Sequence, residues 1–268
     1  PNSKFEVEAK YEIARTYLLQ DRLAEAREYF EQVLNSHATS HFAKFAMRDM
    51  CLVLVKESNT NELRSHWERI KQQYRNDAVV CDAYVICKGL LIEDASFQND
   101  ARLICGASQS EVEQEVYLKA VAPAQEGNCE LGITKLSDYL RNFQPAYYRL
   151  DANYYLSQCY ARSNNKDKCL EACNEVISLG SSAYQEDCLV MAADIAFGMN
   201  DYSQAITHFR DLEQVAVSKA NVMKAQVGLM ESHFLRKENM EAMQYVDKVL
   251  SNPDLKLEGS ERATLIKA

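Results

Sequence analysis

The sequence repeats one helical-hairpin pattern about every 36 to 37 residues, and this repeat constrains the fold more than any other feature. A small or compact residue recurs in steps of 37, 69, 37, 36 and 37 residues, at Ala26, Leu63, Gly132, Cys169, Ala205 and Ala242. The step of 69 residues holds two periods, so one degenerate copy lies within it. Because a single unit of this kind cannot bury its apolar face alone, we expect the units to stack on their neighbours in one array.

Two further positions keep the same phase. Four residues after each small position stands a side chain that can fill a core, at Phe30, Trp67, Leu136, Cys173, Phe209 and Val246. Twelve residues before it stand Ala14, Cys51, Ala120, Ser157, Ala193 and Met230, most of which are small. This register predicts that the two helices of each hairpin cross closely at the small residues, with a larger side chain in the adjacent gap.

Composition and turn residues both favour helices. The 268 residues include only 8 Gly and 4 Pro, too few for a β-sandwich. Polar turns rich in Asn, Asp and Gly separate the apolar segments, and these residues suit left-handed or capping conformations. We therefore predict an all-α fold with paired first and second helices at 4–18 with 22–35, 40–57 with 60–74, 77–91 with 97–105, 110–126 with 129–142, 146–162 with 166–178, 183–198 with 202–215, and 218–236 with 239–250.

The third hairpin, at about 76–109, is the degenerate copy. A polar segment interrupts it, and its second helix is short and ends near Gly106. We expect the array to continue through it with a local bend, as a single domain over 1–268. Pro123 lies late in the following helix and should bend or end it, because proline removes a backbone hydrogen bond.

The two ends of the sequence look like parts of further repeats. The segment from Pro1 to Phe5 resembles the junctions between hairpins, and a new helix is predicted from Ser260 onward. These patterns predict that the chain is a segment of a longer protein.

Charge and cysteine content limit the classes of partner and ligand. The net charge of -9 disfavours nucleic acid and anionic lipid surfaces, and no apolar run is long enough to insert into a membrane. The nine cysteines lack the spacing of a disulfide framework, and most occupy helical core positions, so we predict buried free thiols at Cys51, Cys81, Cys87, Cys159, Cys169, Cys173 and Cys188. Neither Cys169 with Cys173 nor His37 with His41 has a second pair that would complete a metal site, so we predict no metal and no cofactor.

The residues 9–17, 23–34 and 200–209 resemble tetratricopeptide repeats, with the alanines and aromatics of that family in register. The resemblance implies a right-handed α-solenoid of about seven helix-turn-helix repeats. The family's usual period is 34 residues, so the units here have longer helices or junctions. The junctions are also similar to those of bacterial envelope repeats, which favours the periplasm or cell envelope, whereas free cysteines favour the cytoplasm; the compartment is left open.

The family resemblance implies a non-catalytic scaffold that binds a segment of another protein in its concave groove. No catalytic or phosphate-binding motif is present. The groove residues carried over from the family are Tyr11, Arg15, Arg48, Tyr117, Tyr154, Gln158, Asp194 and Glu231, although packing between hairpins is an equal alternative for Tyr117 and Tyr154.

The charge of the predicted groove indicates which kind of segment it would bind. The Lys and Asn pair with which chaperone-binding members hold a peptide carboxylate is absent. Asp151, Asp187, Asp194 and Glu231 instead favour a neutral or basic segment. Self-association and a regulatory region attached to an enzyme domain outside this chain are the alternative roles.

Overall fold

The chain folds into helices joined by short turns. A computed structural model describes residues 4–251 and 257–268, and this part contains fifteen helices and no strand. The helices are α1 (Lys4–Leu19), α2 (Leu23–Ser36), α3 (His41–Lys56), α4 (Thr60–Gln73), α5 (Val79–Leu91), α6 (Ala95–Cys105), α7 (Gln109–Gln125), α8 (Cys129–Asn142), α9 (Arg149–Arg162), α10 (Lys166–Ser178), α11 (Gln185–Gly198), α12 (Tyr202–Val215), α13 (Lys219–Leu235), α14 (Asn239–Leu250) and α15 (Leu257–Lys267). The predicted all-α class and the seven hairpins are confirmed.

Helix ends differ from the prediction by only a few residues. The largest difference is at α9, which begins at Arg149 and not at 146. Pro123 lies inside α7, which ends two residues later at Gln125. The helix predicted from Ser260 is α15, whereas the first three residues of the junction predicted from Pro1 lie outside the described residues.

The helices form two compact units, residues 1–116 and 117–268. Unit 1 holds the first three hairpins and the start of α7. Unit 2 holds the rest of α7, with α8 and the hairpins that follow. The single right-handed array over 1–268 stays a prediction.

The repeat register corresponds to the buried positions of the hairpins. All eighteen in-phase residues are buried, including Ala26, Trp67 and Phe209. Close crossing is directly visible in the fourth hairpin, where a Cβ atom added to Gly132 would lie 2.8 Å from the Cβ of Ala124. The predicted close crossing at the small residue is therefore confirmed for the fourth hairpin.

Each regular hairpin turns through one left-handed residue. These residues have φ between 54° and 88° and lie five positions before the small residue of their hairpin, at Asp21, Ser58, Gly127, Asn164, Asn200 and Lys237. In four hairpins the next residue caps the second helix, because its side chain accepts a hydrogen bond from the backbone N–H three residues later, as Asn59 does from Glu62 and Asp201 from Gln204. The predicted role of Asn, Asp and Gly in the turns is confirmed.

The third hairpin is built differently. No residue in the turn between α5 and α6 has a positive φ, and Asp94 caps α6 through the backbone N–H groups of Ser96 and Phe97. Helix α6 is only 11 residues long and ends at Gly106, which has a φ of 70°. The short second helix is confirmed. The interpretation of this hairpin as a degenerate copy of the repeat stays a prediction.

The prediction of free thiols is wrong for Cys81 and Cys159. Disulfides join Cys81 to Cys105 and Cys129 to Cys159, while the five free cysteines are all buried. The bonds join cysteines that are 24 and 30 residues apart in sequence, a proximity that helical period alone does not reveal. Cys81 and Cys159 therefore no longer count among the free cysteines that favoured the cytoplasm.

Candidate partner-binding face

Side chains on the first helices of successive hairpins contact one another within each unit. We call the surface that carries them the first-helix face. Its contacts join Tyr11 to Asp49 and Arg48 to Asp82 in unit 1, and Tyr154 to Asp187, Gln158 to Met191, Lys224 to Asp194 and Arg262 to Glu231 in unit 2. Six of the eight predicted site residues take part in these contacts. Arg15 lies beside them, and Tyr117 lies in a tyrosine stack described below.

In unit 1 the centre of this face is a buried carboxylate. Asp49 is 4% exposed and accepts a hydrogen bond of 2.8 Å from the hydroxyl of Tyr11 and one of 2.7 Å from Nε of Arg48. The Nε atom of Arg15 lies 3.9 Å from the same carboxylate. The two guanidinium groups compensate the charge of Asp49, as a buried carboxylate requires.

The structure corrects the expectation that Tyr11 projects from the surface. Its side chain is buried, and its ring packs against those of Phe30, Phe42 and Phe45. Burial, reinforced by the charge of Asp49, raises the pKa of Tyr11. Tyr11 can therefore position Asp49 and its arginines, but it offers almost no surface to a partner.

Phe45 is a partly exposed aromatic that sequence reasoning missed. The Nζ atom of Lys44 lies 5.3 Å from its ring centroid, the guanidinium carbon of Arg48 lies 5.4 Å away, and the ring of His41 meets it edge-on at 5.0 Å. The sequence signal was the aromatic and basic run 41–48 at a repeat junction. This arrangement holds Arg48 by cation–π contact as well as by its ion pair.

In unit 2 the same face carries two stacked tyrosine pairs. Tyr117 stacks on Tyr148 with centroids 4.3 Å apart and an interplanar angle of 6°, and Tyr154 stacks on Tyr184 at 4.0 Å and 13°. The equivalent members of the two pairs are 36 and 37 residues apart, so the stack is a repeated feature of the hairpins. Tyr148 and Tyr184 were missed from the sequence, although their spacing of one period was the available signal.

The two stacks differ in exposure. Tyr117 is 7% exposed, in agreement with the alternative that it packs between hairpins, and burial raises its pKa. Tyr154 is only half-buried, as is Tyr184. The second stack is therefore the one whose ring edges and hydroxyl groups a partner can reach.

Two carboxylates face the second stack. The hydroxyl of Tyr154 donates to Oδ2 of Asp187 at 3.3 Å, while a hydrogen bond to Asp151 is the main reason that the pKa of Tyr184 is raised to about 12. Among the described residues neither aspartate forms an ion pair. By contrast, Asp194 lies 2.7 Å from Nζ of Lys224, and Glu231 lies 2.5 Å from Arg262. The uncompensated negative charge of this face thus lies at Asp151 and Asp187.

The described residues contain no group of three or more His, Cys, Asp or Glu side chains that could hold a metal ion. None of the described helices combines the length and the apolar character needed to span a bilayer.

Stacked antiparallel hairpins with small residues at the crossings define a helical-repeat protein. Residues 8–40, which include the second helix of the first hairpin, match the model of the tetratricopeptide repeat family. The first hairpin of the chain is therefore similar to a tetratricopeptide repeat. No curated protein sequence matches it.

Solved structures with similar helices have low sequence identity to this chain. A tetratricopeptide repeat protein from Parabacteroides merdae is 14% identical, with 98% of this chain and 99% of that chain covered and a TM-score of 0.35. The C-terminal part of a repeat protein from Cytophaga hutchinsonii is 13% identical, with coverage of 94% and 98% and a TM-score of 0.44. The PilF protein of Pseudomonas aeruginosa is 13% identical, with coverage of 83% and 97% and a TM-score of 0.42.

Proposed function

We propose that the protein is a non-catalytic scaffold whose first-helix face in unit 2 binds a segment of another protein. Tetratricopeptide repeats generally mediate protein–protein interactions and are generally non-catalytic scaffolds. The observation that carries the proposal is the half-buried stack of Tyr154 and Tyr184 between two carboxylates that have no ion pair with any described residue.

The chemistry of this stack favours a segment with a basic or neutral side chain. Tyrosine offers a large contact area with few rotatable bonds and a polar tip, which suits it to be an interface anchor. An arginine of the partner can stack on the ring of Tyr184 or Tyr154 and donate two hydrogen bonds to Asp187. An acidic segment would instead place like charges beside Asp151 and Asp187.

The remaining predicted residues have smaller parts in this proposal. Asp194 and Glu231 are each compensated by a cation of the next first helix, so a partner must displace Lys224 or Arg262 to use them. Gln158 contacts Met191 and lies one turn beyond Tyr154, where it can extend the contact along α9. In unit 1, Arg15 and Arg48 stay predicted contacts, although Asp49 already binds both.

A peptide titration tests the proposal. Labelled extended peptides of equal length, rich in Arg, in Glu or in uncharged residues, are added to the protein and binding is followed by fluorescence anisotropy. We expect the Arg-rich peptide to bind most tightly and Tyr154→Ala to weaken its affinity about tenfold, the effect of losing about 1.4 kcal/mol. Tyr154→Ala together with Asp194→Ala should weaken it further.

Tyr160→Ala is the matched control, because Tyr160 is a partly buried tyrosine on the same helix that contacts the core from another side. It should leave the affinity unchanged. Binding that survives Tyr154→Ala with Asp194→Ala, or that falls equally with Tyr160→Ala, contradicts the assignment of this face. Self-association stays a prediction, which a measurement of molar mass over a range of concentrations can check.

A further inference from the structure

The Cys81–Cys105 disulfide closes the third hairpin at the end opposite its turn. Cys81 lies in the first turn of α5, Cys105 is the last residue of α6, and their Cα atoms are 5.3 Å apart. Both residues are half-buried, whereas all five free cysteines are buried. The bond is thus within reach of a small thiol at a position where the core ends.

Few side chains of helix α6 are buried. It is 11 residues long, only Phe97 and Ala101 are buried, and its turn lacks the left-handed residue of the regular hairpins. An isolated helix of this length is marginal in water, so it depends on its contacts with neighbouring helices. In the last turn of α6, beyond Ala101, the side chain of Arg102 donates a hydrogen bond to Gln109, and the disulfide is the covalent link to α5.

We propose that Cys81–Cys105 is a redox-sensitive latch that holds α6 in place in an oxidising environment. A soluble dithiol opens it by exchange: two thiols form on the protein, the dithiol becomes a cyclic disulfide, and two electrons and two protons pass to the cysteines. The C-terminal turn of α6 then separates from α5. This device is independent of the partner-binding face of unit 2.

The second disulfide is the natural comparison. Cys129 is half-buried, but Cys159 lies on α9 and is 1% exposed. Its sulfur is therefore shielded by the core, and the two helices that it joins have three (α8) and four (α9) other buried residues. We expect Cys129–Cys159 to be reduced more slowly and with smaller structural consequences.

The single tryptophan of the chain reports on the latch. Trp67 lies on α4, is 1% exposed and meets the ring of Phe97 edge-on at 5.0 Å. Its indole Nε1 donates to Oδ2 of Asp100 at 3.0 Å, and Lys71 pairs with the same carboxylate. Both Phe97 and Asp100 belong to α6, so a loosening of this helix that reaches these two residues exposes the indole to water.

The test follows tryptophan emission and thiol labelling together. Protein folded in a glutathione redox buffer is alkylated under denaturing conditions with and without dithiothreitol, and mass spectrometry counts the labelled cysteines. We expect five labels without reductant and nine with it. Dithiothreitol added to the native protein should reduce Cys81–Cys105 first, so that an alkylating reagent labels these two cysteines before Cys129 and Cys159. It should also shift Trp67 emission to the red and increase its quenching by acrylamide.

Two double variants distinguish the effect of the Cys81–Cys105 bond from the effect of reducing the other disulfide. Cys81→Ala with Cys105→Ala should show the shifted emission without reductant and no further response. Cys129→Ala with Cys159→Ala should respond to dithiothreitol as the native chain does. Should the first pair fail to fold, hydrogen exchange of α6 amides in the reduced native chain gives the same information. Nine labels without reductant, or reduction of Cys81 and Cys105 with unchanged emission and exchange, would overturn the proposal.

Discussion

At Gly132, a single methyl group decides whether two helices can pack. A Cβ atom there would lie 2.8 Å from the Cβ of Ala124 and 3.0 Å from its backbone Cα and N. The neighbours are largely backbone, so they cannot move aside as a flexible side chain can. At this crossing the small residue that keeps the sequence period is therefore required by the distance between the helices.

We predict that Gly132→Ala destabilises the protein by about 1–3 kcal/mol, because the added Cβ overpacks the crossing of α7 and α8. Urea unfolding followed by circular dichroism measures the change. Gly89→Ala is the matched control, since Gly89 lies inside α5 with nothing within 4 Å of an added Cβ. That change should stabilise by up to about 1 kcal/mol through helix propensity. Equal effects of the two substitutions would place the crossing elsewhere.

Among the elements, the turns of the regular hairpins show how local chemistry sets the register. Five of the six left-handed positions carry a residue other than glycine, with φ between 54° and 62°. Asn and Asp tolerate this conformation because their side chains form local hydrogen bonds, whereas lysine gains no such compensation. Lys237, with a φ of 62°, is the least suitable of these residues.

Lys237→Gly should therefore stabilise the protein by about 0.5–1 kcal/mol, because glycine adopts a positive φ without a steric penalty. The gain should appear as a higher urea midpoint without a change in slope. The comparison variant is Glu241→Gly, an exposed site in the first turn of α14 where φ is helical. It should lose about 1 kcal/mol. If Lys237→Gly is neutral or destabilising, the turn is not left-handed there.

Features that depend on neighbours in sequence were predictable, whereas features that depend on distant pairs were not. Hairpin bounds, small crossing residues and the short α6 follow from periods and turn residues within one repeat. The stack of Tyr154 on Tyr184 and the bond of Cys81 to Cys105 join residues 30 and 24 positions apart. Burial of Tyr11 also escaped prediction, because the aromatic cluster around it comes from α2 and α3.

For the whole molecule, one buried neutral histidine in each unit links stability to pH. His66 in unit 1 is 5% exposed, and its Nε2 lies 2.8 Å from the carbonyl oxygen of Met47. His208 in unit 2 is 7% exposed and has no hydrogen-bond partner among the described residues. Burial lowers the pKa of both rings, so the folded protein keeps them neutral at a pH where the unfolded chain binds protons.

The free energy of unfolding should consequently be constant above a pH of about 7 and fall as the pH drops below about 6.5, the pKa of histidine in an unfolded chain. The sign follows because the unfolded state takes up the protons. Thermal unfolding between pH 7.5 and pH 5.5 measures the effect. His208→Leu should flatten this dependence for unit 2, and an unchanged slope in that variant would exclude His208 as a source.

The left-handed turn residues lie whole periods apart, which limits how the length of such a chain can change. Removal of residues 164–199 would join Ser163 to Asn200, so that α9 meets a turn and a cap already matched to the following helix. Removal of one residue within a helix would rotate everything after it by about 100° and turn the next small residue away from its crossing. Gain or loss of a whole hairpin therefore keeps the register of the helix crossings, whereas gain or loss of a single residue within a helix disrupts it.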